Sequence, residues 1–122
     1  MLTIDDIILS YKEGVEITLN NEPQMYGLKG EYDSGEIKVI AYLNNNINKK
    51  DLCCTIFHEL IHARDFILNK LECEFYNPQR NAVQQQGLDL YEEFVENEAI
   101  ETYNKQPELI NFIEEIFILK KL

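Results

Sequence analysis

A chain of 122 residues, 45% hydrophobic and 27% charged, suffices for one hydrophobic core, is too short for two ordinary domains, and is too apolar for a disordered segment. Its formal charge of -11 disfavours nucleic acid as a partner and favours basic surfaces, within the range set by salt screening. There is no apolar run of the roughly 20 residues a membrane span needs, the opening Met1-Leu2-Thr3-Ile4-Asp5-Asp6 has no basic export region, and Cys53, Cys54 and Cys73 are odd in number; a single cytoplasmic domain over 1–122 is expected.

Thr3 is placed to cap a short helix whose apolar positions Ile4, Ile7, Ile8 and Tyr11 form a stripe, ending near Gly14. Alternation in Val15-Glu16-Ile17-Thr18-Leu19 then predicts a strand, closed by Asn20-Asn21-Glu22-Pro23. Met25 to Tyr32 and Glu36 to Leu43 flank Asp33-Ser34-Gly35, whose glycine suits the positive φ of an antiparallel hairpin. Asn48 is positioned to cap a long helix from about Lys49 to Asn69, and its apolar residues Leu52, Cys53, Ile56, Phe57, Leu60, Ile61, Phe66 and Ile67 cover most of its circumference. Such a helix belongs at the centre of the domain. Asn77-Pro78 and Gln84-Gln85-Gln86-Gly87 predict loops, Leu88 to about Tyr103 a further helix, and Pro107 the start of a last one reaching Leu122. The expected fold class is α+β: a small antiparallel sheet of about three strands packed on a central helix, with the remaining helices on one side.

The central helix carries His58-Glu59-Leu60-Ile61-His62. Residues four apart on a helix lie one turn apart on one face, so the chain's two histidines can present nitrogens to a single metal ion, with Zn2+ the ion that best suits such ligands. Glu59, about 100° further round, stands beside that ion without having to ligate it, which suits a general base and then a general acid. With no other histidine, a third ligand must be a carboxylate or a thiolate. The carboxylate-rich stretch Glu92 to Tyr103 offers Glu98, which shares a face with Tyr91, Phe94, Val95 and Thr102, and Glu96, on the side of Glu92 and Tyr103; helical geometry leaves both open. Cys54 and Asp65, one turn before His58 and just after His62, are candidates for supporting or substitute ligands. Tyr91, Tyr103 and Arg64 are candidates to stabilise an oxyanion.

From about Glu36 to Tyr103 the chain resembles the gluzincin zinc metallopeptidases, and more closely the short ImmA/IrrE-like metallopeptidases. The resemblance rests on Thr55-Ile56-Phe57-His58-Glu59-Leu60-Ile61-His62-Ala63 and on Glu96-Asn97-Glu98-Ala99. It implies a zincin-like fold and one zinc per chain, with Glu96 as third ligand, being the first glutamate of a Glu-x-x-Ala pattern, and Glu98 as alternative. Ile100 departs from the Asn or Asp often found in relatives. It also implies proteolysis of a specific protein, such as a DNA-binding repressor, with Glu36 to Tyr42 as the edge strand that would hold an extended substrate. Two other functions remain compatible with the motif: a non-catalytic, zinc-stabilised acidic binding module, and a hydrolase of some other amide or ester.

Overall fold

The computed structural model describes residues 1–21, 27–69 and 82–115. It is an α+β arrangement in the order α1 (Ile4–Lys12), β1 (Glu16–Asn20), β2 (Gly30–Asp33), β3 (Lys38–Tyr42), a short 3-10 turn (Leu43–Asn45), α2 (Lys49–Asn69), α3 (Ala82–Lys105) and α4 (Pro107–Ile113). Among the described residues no helix is long and apolar enough to cross a membrane.

Helix α1 begins as expected. The Thr3 hydroxyl accepts from the Asp6 amide while the Asp6 carboxylate accepts from the Thr3 amide, a reciprocal cap that satisfies two otherwise orphaned donors. Of its apolar stripe only Ile7 is buried, whereas Ile4, Ile8 and Tyr11 are exposed.

The sheet departs from the expected all-antiparallel form. Its order is β1-β3-β2, with β1 and β3 parallel (Ile17 beside Val39) and β2 and β3 antiparallel (Tyr32 beside Val39). The reason lies in β3, whose Val39, Ala41 and Tyr42 are buried, so that the most apolar strand takes the centre with neighbours on both sides. The segment Glu36 to Tyr42 is therefore not an edge, and β2 is the edge strand that packs on α2. The β2–β3 hairpin forms as expected, but its positive φ falls on Ile37 (57°) and not on Gly35. The Asp33 carboxylate accepts from the amides of Gly35 and Glu36 and fixes the turn before that point.

Helix α2 runs over the expected span, with the Asn48 side chain accepting from the Asp51 amide at 2.9 Å. It packs on α1, α3, β2 and β3, and Cys53, Ile56, Phe57, Leu60, Ile61 and Ala63 are buried around it. Val95 and Ala99 of α3 and Leu109 and Ile113 of α4 close the same core. Helix α3 starts six residues before the expected Leu88 and runs through the expected loop Gln84-Gln85-Gln86-Gly87. Three glutamines with good helix propensity outweigh one glycine there. The expected loop at Asn77-Pro78, Cys73, and the end of the last helix beyond residue 115 lie outside the described residues.

Candidate metal centre

His58 and His62 project from α2 toward α3, and what meets them is Glu92. One carboxylate oxygen of Glu92 lies 3.1 Å from His58 Nε2 and the other 3.1 Å from His62 Nε2, and the two Nε2 atoms are themselves 3.1 Å apart. The three side chains offer ligand atoms all within 4.8 Å of one another. Nitrogen–nitrogen and nitrogen–oxygen edges near 3 Å are close to those around a tetrahedral ion with bonds of about 2.0–2.1 Å. The donor set, two imidazoles and one carboxylate, is one that zinc accepts while leaving a fourth position open.

Glu96 stands outside this triangle. Its carboxylate lies 2.8 Å from His58 Nδ1, the nitrogen that faces away from Glu92, and its side chain is half exposed. A carboxylate on Nδ1 holds the proton there and leaves the Nε2 lone pair free for a cation. Glu98, the expected alternative, is buried but already matched. Arg64 donates to both of its oxygens, at 2.6 and 3.2 Å, and the Met1 ammonium lies 3.7 Å away. The inward face of α3 at Glu98 thus meets Arg64 and not the imidazoles. Neither Glu96 nor Glu98 joins the histidine group in the structure, and Glu92 does.

The charges follow from this packing. Burial would lower the His58 pKa, but the neighbouring Glu92 and Glu59 carboxylates raise it on balance. Burial would raise that of Glu92, and the two imidazoles overcome it, holding the carboxyl at about 2. Glu59 goes the other way: burial pushes it up to about 7, with the histidines only partly offsetting this. Its Oε2 is buried without a hydrogen-bond partner among the described residues. An orphaned buried carboxylate oxygen costs stability, so a polar group from outside the chain fits beside it.

Glu59, His58, Glu92 and Glu96 line one cleft of about 240 Å3, together with Leu28, Lys29, Gly30, Asp51, Cys54 and Thr55. The wall opposite α2 is the start of the edge strand β2. Gly30 makes that approach possible: a Cβ there would stand 2.6 Å from Thr55 Cγ2, 3.0 Å from the Ile40 carbonyl oxygen and 3.3 Å from Glu59 Cγ. Lys29 Nζ donates to both oxygens of Asp51, tying the mouth of β2 to the first turn of α2.

No family model matches the chain, and no curated protein or solved structure is significantly similar to it. The residues themselves therefore carry the functional reading.

Cys54 lines the cleft but lies outside the His58–His62–Glu92 group, and burial and the nearby Glu96 raise its pKa. Asp65 is engaged by Arg64 and Tyr91. The Tyr91 hydroxyl and the Arg64 guanidinium accordingly point into that network and do not line the cleft, and Tyr103 lies under Lys50, 5.4 Å from its Nζ. Glu92 is the residue that sequence reasoning passed over. A signal for it existed: Glu92 and Glu96 repeat on α3 the four-residue spacing of His58 and His62 on α2, which puts two carboxylates on the one face that meets two imidazoles.

Proposed function

We propose that this protein is a zinc-dependent hydrolase with a zincin-like centre, acting as an endopeptidase on a protein substrate, with His58, His62 and Glu92 as the metal ligands and Glu59 as the catalytic acid and base. The carrying observation is the convergence of both Nε2 atoms on the Glu92 carboxylate beside the unpartnered Oε2 of Glu59. Zinc bound by these three groups supplies Lewis acidity, polarising a carbonyl and acidifying a water molecule.

The chain's own residues supply the rest. Glu59, with a pKa of about 7 in the metal-free protein, is poised to take a proton from the attacking water on Oε2 and return it to the departing amide nitrogen. Glu92 stays ionised and offers negative charge to the cation. Glu96 holds His58 in the tautomer that presents Nε2. Among the described residues no strand pairs with β2 on the side away from β3, and an extended peptide can add there as a further strand. The absence of a side chain at Gly30 keeps that strand close to Glu59. These features favour a peptide over other amides and esters. The resemblance to ImmA/IrrE-like peptidases supports the same reading and suggests a regulatory protein as the substrate.

A purely structural zinc site has no use for a buried carboxylate without a partner, and removing Glu59 separates the two functions. In the zinc-loaded full-length chain, Glu59→Gln should keep its metal and lose at least 100-fold in hydrolysis of an unstructured protein such as casein or of a peptide library, since general acid–base groups contribute about 10²–10⁴-fold. Unchanged cleavage by Glu59→Gln would refute the catalytic reading.

A further inference from the structure

Tyr91 precedes Glu92 on α3 and meets α2 on the flank of the histidine group. Its ring lies against the His62 imidazole, with centroids 5.5 Å apart and planes inclined at 57°. Its hydroxyl donates to Asp65 Oδ2 at 2.7 Å. Asp65 is itself held: its other oxygen accepts from Arg64 Nε at 3.0 Å, and Arg64 is fixed on Glu98 of α3 and lies 3.7 Å from Asp6 of α1. The hydroxyl is therefore anchored on a network that spans three helices, one turn from the nearer histidine.

From this geometry we infer that the Tyr91–Asp65 hydrogen bond is a positioning clamp: it fixes the rotation of α3 about its axis so that the Glu92 carboxylate meets His58 and His62, and it fixes the ring that backs His62. The inference rests on the zinc reading of that group. Tyr91 does not line the cleft, so it acts through Glu92 and His62 and not on a substrate. The physical basis is the short lever between adjacent residues. Residue 92 follows residue 91 by about 100° around the helix, so a small rotation that frees the Tyr91 hydroxyl carries the Glu92 oxygens off the imidazole nitrogens. Partners that orient metal ligands typically change affinity 10–100-fold when removed.

The test is Zn2+ titration of the metal-free full-length chain in competition with a chromophoric chelator, alongside circular dichroism of the same metal-free samples. Tyr91→Phe keeps the ring and loses the anchor; it should weaken zinc binding about tenfold or more while the metal-free fold is retained. Asp65→Ala should weaken it equally, and adding Tyr91→Phe to Asp65→Ala should change nothing further. Asp65→Asn, which keeps a carbonyl oxygen for the hydroxyl, should bind within about threefold of the unaltered chain. If Tyr91→Phe does not fold, the contrast between Asp65→Asn and Asp65→Ala decides alone, because both lose the charge facing Arg64 and only one loses the acceptor. Affinity unchanged by Tyr91→Phe, an undiminished effect of Tyr91→Phe on the Asp65→Ala background, or equal affinity in the two Asp65 variants overturns the clamp. An unaltered chain that binds no zinc overturns the zinc reading and the clamp with it, and is distinguished from the other results by its own titration curve.

Discussion

Glu59 and Glu92 are two carboxylates of one cleft pushed in opposite directions, Glu59 up to about 7 and Glu92 down to about 2. The cause is what each faces. Glu92 sits between two imidazoles, while Glu59 is buried against β2 with an oxygen unpartnered. A carboxyl whose pKa is raised by folding binds its proton more tightly in the native state, so its contribution is full below about 4.5 and lost as pH rises toward 7. A carboxyl whose pKa is lowered contributes above about 4.5 and loses that contribution as pH falls toward 2. The metal-free protein should therefore lose stability between pH 4.5 and 7, and Glu59→Gln should flatten that limb and be the more stable protein at pH 7. Urea unfolding of both across pH 4 to 8 checks this; parallel curves would mean that Glu59 is not buried at a cost.

At the scale of elements, the decisive contact is between β2 and α2. Gly30 stands where any Cβ would collide with Thr55 and the Ile40 carbonyl, and the latter is backbone that cannot turn aside. Gly30→Ala should push β2 off α2, cost about 1–3 kcal/mol as overpacking does, and depress hydrolysis more than zinc affinity, because the added Cβ would stand against Glu59. Thermal melting, zinc titration and peptidase assay on the same variant give the three readings, and equal losses of affinity and turnover would contradict the assignment. Helix α2 was legible in full: the Asn48 cap, the all-round apolar pattern and the paired histidines are local features of sequence. The sheet order was not, since strand spacing alone does not say whether β3 follows β2 outward or turns inward beside β1. Glu92 was hidden for a related reason. Helical geometry left Glu96 and Glu98 open and the resemblance favoured Glu96; Glu98 is indeed buried, but which side chain of α2 it meets depends on how two helices cross, and it meets Arg64.

For the molecule as a whole, side-chain hydrogen bonds tie helix to helix and strand to strand around the apolar core. One is Tyr42 of the central strand, whose hydroxyl donates to Glu31 of the edge strand at 2.7 Å. Burial and that carboxylate push the Tyr42 pKa up to about 12. The sign is that of a raised group: its contribution is intact below about pH 10, the ordinary tyrosine value, and disappears as pH rises to about 12. Stability should fall over that window, and Tyr42→Phe should fall less steeply; identical alkaline slopes in denaturant unfolding would show that the sheet does not hold the phenol.

The metal content of the purified full-length chain, prepared without chelator and compared across glutamate variants by elemental analysis, bears most directly on the centre itself. The unaltered protein should carry one zinc per chain. Glu92→Gln should lose it, Glu96→Gln should keep it with weaker affinity, and Glu98→Gln should keep it unchanged. An unaltered chain without zinc, or a Glu92→Gln chain that retains one equivalent at undiminished affinity, would contradict a centre built from His58, His62 and Glu92.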